Sequence, residues 1–158
     1  MANGQMTQVA YTAILEHFVQ TGRAPHYTEL AGAIDVDIAE ARELQRAAAS
    51  AAPAESCWLA HDTDHIESWA PFSNIPTHYL ISVDGIQKWY GQCGLEALAV
   101  RWLFPDREVT VQSRCLDCGE PIRIRTRNGE VLEVDPDSAV GYQPSPFARS
   151  RSGSAAFN

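Results

Sequence analysis

The stretch Gln92–Ile122, QCGLEALAVRWLFPDREVTVQSRCLDCGEPI, decides how the chain is read, because it holds three of the four cysteines and passes from helical to strand periodicity within one short span. Cys93 follows Gly91-Gln92 and opens a run in which Leu95, Leu98, Ala99 and Trp102 recur at helical spacing, which predicts a helix with the thiol in its first turn. Unpaired N–H groups and the helix dipole at that end favour a thiolate. Glu96, three residues on, falls on the same helical face, so a soft nucleophile and a proton carrier are expected to share one site. Pro105-Asp106 ends the helix and Glu108–Gln112 alternates as a strand. Cys115 and Cys118 then follow in CLDCGEP, a metal-knuckle or redox spacing, and its place on a turn between strands, away from a helix start, ranks metal above redox.

On either side the pattern is that of a small antiparallel sheet. His78–Val83 and Ile86–Tyr90 flank Asp84-Gly85, and a strand from Ile122 meets Val131–Val134 across Asn128-Gly129. Both dipeptides are two-residue hairpin turns. Pro71–Pro76 reads as an irregular arm. From Pro144 the chain is Pro, Ser, Arg and Gly with few apolar residues, so 144–158 is expected to be a disordered tail.

Toward the N-terminus the periodicity becomes helical throughout. Val9–Val19 forms a first helix, Thr28 is the expected cap of a short second one (Glu29–Ala33), and Asp35 or Asp37 begins a third that runs to about Ser50. This rhythm is that of a three-helix, winged-helix-like module. The third helix carries Asp37, Glu40 and Glu43 against Arg42 and Arg46, a balance that disfavours contact with phosphates. The Ala/Pro run near residue 55 marks an expected boundary, giving domains 1–55 and 56–143. Just beyond it, Cys57, His61 and His65 are spaced to stack on one side if the segment were helical, and could then bind a metal; Asp62-Thr63-Asp64 favours a loop with incidental histidines. Trp58, Trp69, Trp89 and Trp102 are expected in the core or in pocket walls.

Composition narrows the classes further. The formal net charge is −8, spread as three Lys/Arg against seven Asp/Glu in residues 1–56 and nine against thirteen in the remainder, which opposes nonspecific binding to nucleic acid or anionic membranes. No apolar run reaches the ~20 residues of a membrane span and no leader pattern is seen, so a cytoplasmic setting is expected. Four cysteines in that setting read as metal-binding or reactive thiols before a disulfide framework.

The run from Ile75 to Ile124 resembles the central part of the alkylmercury (organomercurial) lyase family, and the likeness extends over about residues 8–142. It is carried by Pro76-Thr77-His78, Asp84-Gly85, Tyr90, Cys93, Glu96, Pro105, Cys115, Gly119 and Pro121. The resemblance implies an α+β fold with a three-helix winged-helix-like module ahead of a small antiparallel sheet and one central helix. It also implies protonolytic cleavage of a carbon–mercury bond without a cofactor, with Cys93 as the mercury-capturing thiolate and Glu96, at a position usually held by Asp, as the proton relay. Two departures accompany it. The family's second catalytic cysteine lies on a later strand for which the polar tail offers no counterpart, and Cys118 turns a lone structural cysteine into a pair.

Catalytic residues are therefore expected at Cys93 and Glu96, and metal ligands at Cys93, Cys115 and Cys118, with zinc or mercury held by the last two. The expected partner is a small organometal or soft-metal ligand, with no membrane and no nucleic acid. A second copy, or a partner that supplies the missing strands, is expected to cover the sheet edge. Two alternatives stand beside the enzyme: a soft-metal binding protein that cleaves nothing, and a winged-helix regulator that senses metal through its cysteines.

Overall fold

The computed structural model describes residues 2–53 and 56–141; the expected tail at 144–158 lies outside them. The chain divides into two compact units, Met1–Ala70 and Pro71–Asn158.

The first unit contains α1 (Ala2–Thr21), α2 (Tyr27–Ile34) and α3 (Ile38–Ala51), followed by the antiparallel pair β1 (Cys57–Leu59) and β2 (Ile66–Trp69). Ala10, Ile14 and Phe18 recur every four residues on α1 and are fully buried, as are Leu30 of α2 and Ala41 and Ala48 of α3 to within a few per cent. Apolar stripes of this kind hold short helices together when propensity alone would not. Asp37 caps α3, its carboxylate accepting the Glu40 N–H at 2.8 Å. The cap of α2 is His26, where Thr28 was expected. The His26 ring nitrogen accepts the Thr28 N–H at 3.3 Å, and Glu29 reaches back to the His26 N–H at 2.8 Å. That reciprocal closure places Thr28 inside the helix. Hydrogen bonding to Arg23 also pulls the Glu29 carboxyl down to about 2.

The segment after α3 is a hairpin, so Cys57, His61 and His65 are not stacked on a helix. Cys57 lies in β1, His61 is fully exposed beside Asp62, and the His65 ring rests 5.4 Å from that of His26. Asp64 turns the chain with φ of 58° and accepts from both Arg42 and Arg46 of α3. At the far end Trp69 is fully buried, with its ring 5.2 Å from that of Tyr11. These contacts tie the hairpin to the helices, and the division accordingly falls after Ala70, later in the chain than the Ala/Pro run.

In the second unit β3 (Phe72–Ser73), β4 (Leu80–Val83), β5 (Ile86–Gly91), β6 (Glu108–Arg114), β7 (Pro121–Arg127) and β8 (Glu130–Asp135) form antiparallel neighbours in the order β3-β5-β4-β6-β7-β8. Between β5 and β6 lie α4 (Gly94–Ala99) and a 3-10 turn, Val100–Leu103. Both hairpins turn where the dipeptides indicated, with positive φ at Asp84 and Gly85 and at Asn128 and Gly129, the conformation that two-residue turns require. Across the sheet Ile81 pairs with Trp89 on one side and Val111 on the other, and Val83 pairs with Val109. These five residues form the buried face. The outer strands are laced by Arg125, which meets Glu108 and Glu133 at 2.9 Å. The protein is thus α+β with one helix set into an antiparallel sheet. Among the described residues no helix is long and apolar enough to cross a membrane.

Candidate active site at the start of α4

Three hydrogen bonds determine where α4 begins. Thr77 donates its hydroxyl to the Gly91 carbonyl at 2.7 Å, the Gly91 N–H donates to the Tyr79 carbonyl at 2.9 Å, and the Gln92 N–H donates to the Pro71 carbonyl at 3.0 Å. The arm read as irregular also holds β3, whose Phe72 and Ser73 pair with Gly91 and Tyr90 at the end of β5. Gly91 has a further role. A Cβ there would stand 2.6 Å from the Cβ of Ala97 and 3.1 Å from its Cα, so the absence of a side chain lets the helix lie directly on the strand.

This seating selects the buried face of α4. Ala97 and Val100 are fully buried, whereas Leu95 and Trp102, two positions of the expected apolar stripe, are 54% and 68% exposed. The helix also closes earlier than the periodicity suggested, at Ala99. Trp102 instead lies beneath the Arg101 guanidinium, 5.0 Å from it. Trp89 does pack in the core, its ring 5.1 Å from Phe104.

Cys93 is the N-cap of α4. Its backbone is extended, and its Sγ accepts the Glu96 N–H at 3.4 Å, with the Leu95 N–H also directed at it. Only 6% of the residue is exposed. Burial dominates the electrostatics, and the Glu96 carboxylate adds to it, so the thiol is pushed up to about 11 despite the two backbone donors. The expectation of a resting thiolate is therefore corrected: at neutral pH Cys93 holds its proton. Burial likewise raises the Glu96 carboxyl, partly offset by the hydrogen bond that the Cys93 thiol donates to it. Glu96 Oε2 is buried without a hydrogen-bond partner. The site thus sets a buried thiol beside a poorly solvated carboxyl.

Tyr79 completes the surroundings and was not singled out from the sequence. Its ring packs against Gly94, where a Cβ would come within 3.2 Å, and its phenolic oxygen accepts the Gly94 N–H. Burial raises the phenol, and the adjacent Cys93 raises it further. Tyr79 lies just ahead of β4 in an irregular stretch, so no local pattern in the sequence marked it. A groove of about 540 Å³ crosses β4, β6 and β7, with Thr77, His78, Arg114 and Asp135 among its walls; Cys93 and Glu96 do not line it.

Cys115 and Cys118 lie at the β6–β7 turn. Cys115 is half-buried and Cys118 exposed. No three His, Cys, Asp or Glu side chains gather as a metal site among the described residues, so Cys93 is not gathered with Cys115 and Cys118, the other expected metal ligands. The reason is topological: Cys93 caps α4 just past the end of β5, Cys115 follows the end of β6, and β4 lies between those two strands.

Comparison with known proteins adds to this geometry. A family model, MerB alkylmercury lyase, matches residues 72–155. Two proteins named alkylmercury lyase, from Bacillus cereus and Clostridium butyricum, are each 38% identical over 69 residues, which is 42% of this chain and 29% of theirs. The matched stretch thus spans less than a third of those relatives. A solved structure, the mercury-bound form of MerB2, shares the fold, with a TM-score of 0.62 and 19% identity over 86% of this chain and 68% of that one.

Proposed function

Because the chain belongs to the alkylmercury lyase family, we propose that it cleaves carbon–mercury bonds by protonolysis, with Cys93 capturing the metal and Glu96 relaying the proton. The observation that carries this reading is the Cys93–Glu96 contact, a buried thiol donating to a carboxyl whose own proton affinity is raised.

The chemistry follows from that contact. Mercury in an organomercurial cation is soft and prefers sulfur to oxygen. As the Hg–S bond forms, the Cys93 S–H bond breaks and its proton passes to Glu96, the acceptor already hydrogen-bonded to it. Glu96 then returns the proton to the carbon on mercury. The C–Hg bond breaks with its electron pair on carbon, releasing the hydrocarbon and leaving Hg(II) on the Cys93 sulfur. A raised carboxyl suits this role, because the acid must hold the proton until the carbon is in reach. Dry walls strengthen each electrostatic step. Tyr79 limits the space beside the sulfur, and a small thiol from solution supplies the second ligand that carries the product away.

The regulator reading has less support, since Asp64 engages both arginines of α3. The binder reading is separated from the lyase by experiment. With phenylmercury and excess thiol, the expected result is benzene release that disappears in Cys93→Ser and falls by about 10²–10⁴-fold in Glu96→Gln. Stoichiometric mercury uptake at Cys93 without benzene would leave a metal-binding protein and end the lyase reading.

A further inference from the structure

The CxxC turn between β6 and β7 is absorbed neither by the fold nor by the proposed chemistry. The turn is closed by backbone bonds, the Cys115 N–H donating to the Glu120 carbonyl at 2.8 Å and the Gly119 N–H to the Cys115 carbonyl at 2.9 Å. Gly119 adopts φ of 75°, a left-handed conformation that reverses the chain after the second cysteine and that a side chain would strain. Arg114 braces the turn by donating to the Gly119 carbonyl at 3.0 Å. Within this frame the Cys115 sulfur accepts the N–H groups of Cys118 and Asp117 and, in addition, the Cys118 thiol. Two sulfurs are thus held on one braced turn, Cys115 half-buried and Cys118 exposed.

The donor set limits what this pair can hold. No third ligand joins it among the described residues. Structural zinc sites take four protein ligands, so a zinc ion here would be half-satisfied. A softer d10 ion that is content with two thiolates would be fully satisfied.

We propose that Cys115 and Cys118 form a second thiol site, separate from Cys93, that chelates a soft cation satisfied by two sulfur donors, Hg(II) being the ion that fits best. On binding, two S–H bonds break, two Hg–S bonds form and two protons pass to solvent; no electron transfer is needed. The lyase reading bears on this only as a source of the ion, since the chelation chemistry stands without it.

The test uses the full-length reduced chain carrying Cys93→Ser, with and without Cys118→Ser. Mercuric chloride is titrated in excess monothiol, and bound mercury per chain is counted after gel filtration, with the ultraviolet sulfur-to-mercury band as a second readout. The chain with both turn cysteines is expected to retain one more mercury than its partner variant, and loss of Cys118 to weaken retention roughly a hundredfold, the usual advantage of a second linked donor. Cys118 is exposed, so its replacement leaves packing intact; Cys118→Ala provides an independent check. Equal mercury in the two chains would overturn the proposal, as would half an equivalent per chain in a dimer, which means a four-sulfur site shared between copies. Benzene release by Cys118→Ser alone, measured in parallel, keeps failure of this site distinct from failure of the lyase reading.

Discussion

Cys93 and Cys115 each accept two backbone N–H groups from residues two and three positions on, yet the folded chain drives their protons in opposite directions. At Cys93 burial and the Glu96 carboxylate outweigh the donors and the thiol is pushed up to about 11. At Cys115, near the surface, the N–H groups of Cys118 and Asp117 win and the thiol falls below the usual cysteine range. Backbone donors therefore do not by themselves make a reactive thiolate. What decides is whether water remains to share the charge, and whether a carboxylate stands close by. The buried thiol suits a reaction in which its proton is used. The exposed pair suits capture.

Alkylation at pH 8 gives the sharpest division between the two sites. Cys115 is expected to react about a hundredfold or more faster than Cys93, because the thiolate is the nucleophile and Cys93 is both protonated and covered. Peptide mapping after timed iodoacetamide treatment measures it, and equal rates would erase the contrast. Glu96→Gln should narrow the gap by removing the negative charge beside Cys93.

The pH dependence of stability isolates burial from reactivity. Cys93 keeps its proton in the folded chain to about 11, compared with about 9 for an ordinary thiol. Between those values the unfolded chain loses the proton first, so fewer protons are bound in the unfolded state and stability falls as pH rises. The contribution is intact below about pH 9 and gone above about 11, with a size of about 2 kcal/mol. Denaturant midpoints of the wild-type chain and Cys93→Ser across that window are expected to converge as pH increases; parallel curves would mean that Cys93 is not held neutral.

A smaller effect is expected from Gly91→Ala, which tests how the burial is built. The new methyl would overlap Ala97 and lift α4, at a cost of about 1–2 kcal/mol. The accompanying signature is faster alkylation of Cys93 with no change at Cys115. An unchanged Cys93 rate would show that Tyr79, and not the seating of the helix, closes the site.

Several elements were legible because a local rule has only one structural solution. Asp84-Gly85 and Asn128-Gly129 specify two-residue turns since both central positions need positive φ. Asp37 is a side-chain cap in reach of the Glu40 N–H. The pairing of Cys93 with Glu96 followed from helical spacing. Other elements carried no local mark. His26 caps α2 through a ring nitrogen, which competes with the more usual Thr28 next to it. β1 has three residues and β3 two, too few for alternation to register. Leu95 and Trp102 suggested the wrong face of α4, because the face that packs was set by a gap at Gly91 in another element.

The sequence alone determined the α+β class, the two hairpins, the thiol and acid at one helix start, and the CxxC turn, all of which depend on neighbours within a few residues. Tertiary structure decided that Cys93 keeps its proton, the separation of Cys93 from Cys115 and Cys118, and the surroundings that Tyr79 gives the site. Those depend on desolvation and strand order, and both are set by residues distant along the chain that only the folded sheet brings beside the site.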